Sequence, residues 1–421
     1  MKEGTQQNSN RLIARIMMAA MMTVLTAGHT QAQTLISGIV TDRQTGKPLP
    51  HVSITAEGDK QHTVTNEEGR FTLKMSQRPQ YIQLSHIGYK TRRQNISADH
   101  TEGLHIVMTG SLVMLSEVLV SADDPVAIVK AAINRIEYNY PGEAEETQCF
   151  YRETARRGNR FIAVAEAVTD MYKSTYSYGP ERDAVAIVKG RRLMSLKSSD
   201  TLGVKIQGGP LLPLMVDVAK NRDYILNWQY LEQCQLRMET PRKIDDRLHY
   251  VVRMTPKPAS DLTKIGGLLF IDQQTMAISR AELELDMTDW REASEYMLVS
   301  KPTGLRFRPK ELSTTIVYNT DKYGITRISY LRNQIRFNCD WHRRLFAHSF
   351  TTVSEMVVTQ RTASGKQARR PKGRSTFGLK DRFYDRVEAF CDPLFWADYN
   401  IIEPTESLEN AIDRLRKRAQ P

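Results

Sequence analysis

Cysteine is scarce. The four that occur in 421 residues, Cys149, Cys234, Cys339 and Cys391, stand far apart with no CxxC pair among them. That spacing excludes a zinc ribbon and a thioredoxin-like redox motif. An oxidising compartment permits one or two disulfides, and apolar neighbours such as those in Cys149-Phe150-Tyr151 equally suit buried small side chains. Beyond the N-terminus long apolar runs are missing too. A stretch such as residues 211–218 falls far short of the ~20 residues a membrane-spanning helix needs. The signatures of common chemistry are absent as well. No histidine after residue 32 has Glu three positions on: His51 meets Ile54, His62 meets Thr65, His249 meets Val252 and His348 meets Thr351. Without H-x-x-E or HExxH, zinc peptidase chemistry lacks its ligand pattern. There is no G-x-S-x-G elbow, no P-loop and no G-x-G-x-x-G. No catalytic, cofactor-binding or metal-ligating residue is therefore assigned, no cofactor is expected, and the expectation is a protein that is not an enzyme.

What is present begins at the N-terminus. Lys2, Arg11 and Arg15 precede the apolar run IMMAAMMTVLTA, and Thr30-Gln31-Ala32 forms a small-residue exit. A positive flank, a short apolar core and such an exit describe a secretory signal peptide over residues 1–32, with Gln33 starting the exported chain. The net charge of +11 suits anionic partners such as lipid head groups or acidic glycans. Export makes nucleic acid the least fitting of them. Much of the excess lies in residues 361–374 (RTASGKQARRPKGR), read as a mobile, solvated loop.

Residues 34–109 carry about seven short alternating segments separated by turn signals, the pattern of a β-sandwich. Five motifs occur there in order: G-x-V-x-D at 38–42, T-G-x-P-L-P at 45–50, V-x-I at 52–54, T-N-x-x-G-x-F at 65–71 and S-x-x-G-Y at 85–89. This stretch resembles the carboxypeptidase D regulatory-like domain. The resemblance implies a transthyretin-like sandwich without catalytic residues, spanning residues 33–110. Residues 111–143 form a linker and helix. Within them 115–120 (LSEVLV) resembles the stretch just after this module in envelope proteins of the Bacteroidetes. That suggests an adaptor of a TonB-dependent uptake system, against a closing strand of the sandwich. Asp124-Pro125 opens a helix with Val126, Val129, Ile133, Ile136 and Tyr140 at helical spacing, ended by Pro141-Gly142.

Residues 144–421 read as a β-rich domain with a terminal helix (Leu408, Ile412, Leu415). Hairpins are expected around 157–159, 272–275 and 321–324, and residues 200–230 read as helical or irregular. Gly208-Gly209 and Gly266-Gly267 are expected at turns before strands, and Glu145-Glu146 in a polar turn. The fold class is thus mostly β: an N-terminal transthyretin-like sandwich, then a helix and a large antiparallel sheet with few helices, curled as far as a half-open barrel. The strand–DxxT–AIxxAE pattern is similar to that of lipoprotein-carrier sheets. The chain as a whole resembles uncharacterised Bacteroidetes proteins that contain the carboxypeptidase-like regulatory domain.

Phe395, Trp396 and Tyr399 form a candidate sugar-stacking platform, weighed against packing of the final segment on the sheet; Trp290 and Trp341 have similar settings. The expected function is a non-catalytic periplasmic or outer-membrane-associated envelope protein binding a protein, glycan or lipid in its β-rich domain, with the sandwich as a docking module. An apolar lining would favour lipid, and exposed Trp or Tyr ringed by polar groups would favour glycan. A peptidase or glycosidase of the envelope is the alternative, and would require convergent polar groups with shifted pKa.

Overall fold

The computed structural model describes residues 33–58, 61–111, 124–197, 204–206, 208–258, 264–341, 348–379, 381–392 and 399–419. The signal peptide, the 115–120 motif, Phe395 and Trp396 lie outside them.

The first seven strands form a sandwich. β1 (Thr34–Asp42) pairs antiparallel with β4 (Arg70–Met75) and parallel with β7 (Leu104–Met108). The facing sheet runs β3 (His62–Val64), β2 (Ser53–Ala56), β5 (Tyr81–Ser85), β6 (Arg92–Asn95). Alternate residues of each strand point inward, so Ile36, Val40, Ile54, Phe71, Leu73, Ile82, Leu84 and Ile106 make one dry core. The strand before β7, β6, covers only Arg92–Asn95. Gly88 turns the chain at positive φ and Tyr89 pairs with Gly110 instead.

The body is one antiparallel ten-stranded sheet in the order β10-β9-β8-β19-β18-β17-β15-β14-β13-β12, open at both edges. Its strands are β8 (Glu145–Arg157), β9 (Arg160–Lys173), β10 (Ala184–Met194), β12 (Cys234–Ile244), β13 (Arg247–Pro256), β14 (Ile265–Asp272), β15 (Ile278–Leu285), β17 (Leu305–Thr320), β18 (Thr326–Trp341) and β19 (His348–Ser364). A separate small pair joins β11 (Lys205–Ile206) to β16 (Leu298–Ser300). The chain winds outward through β8, β9 and β10 to one edge, crosses to β12 at the other, and meanders back until β19 closes on β8. That crossing carries α3 (Leu212–Met215), α4 (Arg222–Ile225) and α5 (Trp228–Glu232).

The two faces are separated by the strand period of two. Cys149, Tyr151, Ala163, Ala165, Leu331 and Met356 share one extended core with helix residues. These come from α1 (Pro125–Asn134), α2 (Ile136–Asn139), α6 (Trp290–Met297) and α7 (Phe383–Glu388) as well as α3–α5. Their neighbours Phe150, Val164, Val168, Tyr330 and Val357 face the other way. There they meet the sandwich residue Val64, the segment at Ile402, and the terminal helix α8 (Glu406–Ala419). Asp124 caps α1 by accepting from the Val126 amide at 3.0 Å, but the helix breaks at Arg135 and resumes as α2.

Two turns share one device. Asp42 accepts from the Gln44 and Thr45 amides and the Thr45 hydroxyl, and Asp272 does the same for Gln274 and Thr275. D-x-x-T is therefore a self-closing turn in both domains.

Several expectations are corrected. Glu145 and Glu146 are not in a turn but start β8, and Glu145 is buried against Arg327, whose Nε donates to it at 2.8 Å. Residues 361–364 of the expected basic loop extend β19, because β8 supplies partners as far as Glu145. Gly266 and Gly267 lie inside β14, where the Glu282 carbonyl leaves no room for a Cβ at Gly267. Gly208-Gly209 precedes the helical turn α3 and not a strand. All four cysteines are free thiols, three of them buried, and burial pushes Cys149 and Cys339 up to about 12.

Candidate binding cavities on the helix-bearing face

Tyr399, the described member of the aromatic trio, is half-buried in the cluster of Val64, Phe150 and Ile402, with the Lys189 ammonium 5.8 Å from its ring centre. Trp290 is partly exposed beneath the Arg291 guanidinium. The structure does not bring these two together.

The helix-bearing face instead holds a cavity of about 320 Å³ between α7 and strands β8, β9 and β19. Its walls include Ala155, Ile162, Ala163, Val204, Ile206 and Phe383. The small side chains come from the alternation of β8 and β9: alanine at 155 and 163, directly paired across the two strands, leaves the space that larger residues would fill. α7 roofs it, with Phe383 set edge-on against Tyr151 at 5.0 Å and Val387 fully buried.

Three acids line this cavity, Glu153, Asp381 and Asp385, and Glu153 is the one set among its inner walls by two hydrogen bonds. Glu153 accepts from the Tyr151 hydroxyl at 2.7 Å and from the Gly209 amide at 2.6 Å. Burial raises its pKa, with those hydrogen bonds opposing. Gly208-Gly209 makes the approach possible: a Cβ at Gly208 would lie 2.6 Å from the Glu153 carboxylate, and one at Gly209 as close to the Phe377 ring. Gly209 also has φ +86°, a conformation that favours glycine. The carboxyl is thus already hydrogen-bonded in a wall of mixed polarity, a group that can meet a polar end.

A second, larger cavity of about 650 Å³ lies between the β9–β10 connection, α3–α4 and residues 376–379. Beneath it is a buried polar centre. Asp217 accepts from the hydroxyls of Tyr318 (2.8 Å) and Tyr176 (2.9 Å) and pairs with Lys173. Lys220 pairs with Asp183 at 3.0 Å and also reaches the Ser174 carbonyl and hydroxyl and the Thr175 carbonyl. Burial lowers the pKa of Lys220 and raises that of Asp183, the ion pairs opposing both. The three tyrosines Tyr140, Tyr176 and Tyr318 stay protonated for the same reason. The Lys220 ammonium has more acceptors around it than its three N–H groups can serve, so it is held as a fastening and not presented as a nucleophile. No cluster of three metal-ligating side chains occurs among the described residues.

Neither cavity was visible in the sequence. Glu153 sits in an ordinary-looking R-E-T-A-R strand, and residues 382–384 (RFY) form no motif. The one available signal was Gly208-Gly209, a pair of small residues where backbone closely approaches other groups.

Residues 36–120 match the family model described as the CarboxypepD_reg-like domain, so the N-terminal sandwich is a domain of that kind. No curated protein matches the chain. Among solved structures, the chain is similar to a DUF1329 family protein from Desulfovibrio piger, at 13% identity over 57% of this chain and 95% of that one, with TM-score 0.24. It is similar also to a LolA superfamily protein from Nitrosomonas europaea (15%, 56% and 94%, TM-score 0.23). A third is an outer membrane lipoprotein-sorting protein domain from Vibrio parahaemolyticus (8%, 57% and 92%, TM-score 0.25).

Proposed function

We propose that the chain is a non-catalytic, exported protein of the cell envelope whose body holds the apolar part of a lipid in the cavity under α7. One observation carries this reading: a cavity of about 320 Å³ in which Ala155, Ile162, Ala163, Val204, Ile206 and Phe383 stand beside polar side chains that include Glu153, Arg192, Lys205, Ser354 and Asp381. Its apolar side suits an alkyl chain, and its polar side suits a charged or hydrogen-bonding head. Each methylene moved from water into it is worth about 0.8 kcal/mol. Glu153 offers one point at which a polar end can be met. The sandwich and α8 cover the opposite face, leaving the helix-bearing face for the ligand.

The test is a titration of delipidated protein with a fluorescent palmitate analogue, and with a glycan and a peptide substrate set in parallel. Binding near the micromolar range, about −8 kcal/mol, is expected. Ile206→Trp and Ala163→Leu fill the cavity and should weaken it about tenfold while thermal unfolding stays cooperative. Equal affinity in both filled variants, or turnover of a glycan or peptide by the native chain, would sink the reading.

A further inference from the structure

The chain's most basic segment lies at the mouth of the larger cavity. From Gly365 to Leu379 it carries Lys366, Arg369, Arg370, Lys372 and Arg374 and no acid, and all five cations are exposed. Arg370, Phe377 and Leu379 line that cavity. Its lining also bears outward apolar side chains: Leu379 is 74% exposed, Tyr178 44% and Met215 38%. A further cation, Arg182, stacks 3.5 Å from the Tyr178 ring centre.

Neither half of this arrangement is explained by the fold. The segment's backbone is held by the Gly365 amide on the Ala144 carbonyl, the Arg369 amide on Glu146, the Ser375 carbonyl and Phe377 amide on β10, and the carbonyls of Arg374 and Thr376 that accept from Arg386. Those contacts would hold equally well with neutral side chains at 366, 369, 370, 372 and 374, except that Arg370 also reaches the Asp183 carbonyl at 3.5 Å. Of the acids nearby, Asp183 is paired with Lys220 and Asp381 with Arg386, and the remaining Glu181, Asp223, Glu143 and Glu146 are outnumbered by the five cations and Arg182. Leu379 at such exposure contributes nothing to a core.

We infer that this mouth is a membrane-docking surface: the 366–374 cations meet anionic lipid headgroups while Leu379, Tyr178 and Met215 enter the interface. Basic residues beside apolar and aromatic ones are what an interfacial contact requires, since the charges supply attraction and the apolar tips supply depth. A solvated loop needs the charges but not the apolar rim. An acidic glycan needs the charges but gains nothing from Leu379. The surface stands independently of the cavity under α7.

The experiment is co-sedimentation of the exported chain, residues 33–421, with vesicles of phosphatidylcholine alone, and with vesicles holding about one-third phosphatidylglycerol. Binding to the anionic vesicles only is expected, falling steeply between low and physiological salt as the charges are screened. The exposed triple variant Arg369→Gln, Arg370→Gln, Lys372→Gln should lose affinity on the order of 100-fold, at about fivefold per basic residue. Leu379→Ser should lose several-fold at every salt concentration. Equal binding to both vesicles, none to either, or an unaffected triple variant would overturn the inference. So would heparin binding that needs the three cations, with vesicle binding indifferent to Leu379→Ser; that result marks an acidic-glycan surface instead. Circular dichroism of each variant separates lost docking from lost fold.

Discussion

Asn400 lies beside Lys74 as a strand partner would: its Oδ1 accepts from the Lys74 amide at 2.6 Å and its Nδ2 donates to the Lys74 carbonyl at 3.0 Å. Lys74 is on β4, an edge strand of the sandwich whose outward backbone groups would otherwise lack a ladder. The segment around Asn400 thereby becomes a strap. It continues with Thr63 donating to the Ile401 carbonyl, Thr72 to Glu403 and Asn66 to the Pro404 carbonyl. On its other side Arg152 donates to the Ile402 carbonyl at 2.6 Å. One short segment ties the N-terminal domain to the back of the sheet.

Asn400→Ala should therefore cost about 1 kcal/mol or more, since two part-buried backbone groups lose their partners. Because the strap joins the two domains, the loss should also appear as a split in denaturant unfolding, the sandwich leaving at lower denaturant than the body. A single transition at the native midpoint would show that the strap adds nothing to their union.

The buried acid under the strap is costlier to alter. Glu166 is fully buried between Arg152 at 2.7 Å and Arg191 at 2.8 Å. Glu166→Gln removes the one negative charge from two guanidinium groups that remain in place. Breaking such a buried arrangement typically costs about 3–5 kcal/mol. A urea titration checks it, and Glu166→Asp should recover part of the loss if charge and not shape is responsible.

The acid limb of stability should report His86. Burial, and secondarily the Arg280 charge, lower its pKa to about 4 from the ordinary 6.5. The folded protein thus binds this proton less readily than the unfolded chain does. Its contribution is complete above pH 6.5 and declines as pH falls from 6.5 toward about 4. His86→Gln should flatten stability across that window. Glu67, held at about 2 chiefly by its hydrogen bond with His51, acts lower, between 4.5 and about 2. Melting temperatures measured at intervals of pH distinguish the two.

How much of this was legible in the sequence depends on the range of each interaction. The sandwich was readable because its motifs are local: Asp42-x-x-Thr45 closes its own turn, and Phe71 and Leu73 alternate into one core. The hairpins of the body were readable for the same reason. Sheet order was not, since the pairing of β19 with β8 joins residues about 200 positions apart through no local signal. Glu145 looked like a solvated acid because Arg327, its partner, is 182 residues away. The cavity under α7 depends on the absence of volume at Ala155 and Ala163, which any alternating strand could contain.

Gly190 is where the roof of that cavity meets the sheet, and it allows the sharpest test of α7. A Cβ there would lie 2.1 Å from a Val387 methyl and 2.9 Å from the Glu166 carbonyl. The backbone on both sides is committed as well: the Gly190 amide donates to the Phe390 carbonyl at 2.8 Å, and its own carbonyl accepts from the Asp392 amide at 3.2 Å. The strand therefore cannot move away to make room, and α7 must shift outward, carrying Phe383 off Tyr151. Overpacking of this kind costs about 1–3 kcal/mol. Gly190→Ala should accordingly lower the melting temperature and shorten the lifetime of bound palmitate analogue together, because one displaced helix serves both. Val387→Ala in the same chain removes the clashing methyl groups and should restore a good part of both quantities. A Gly190→Ala protein with native stability and native ligand release would mean that α7 is not seated as described, and that the cavity has a different roof.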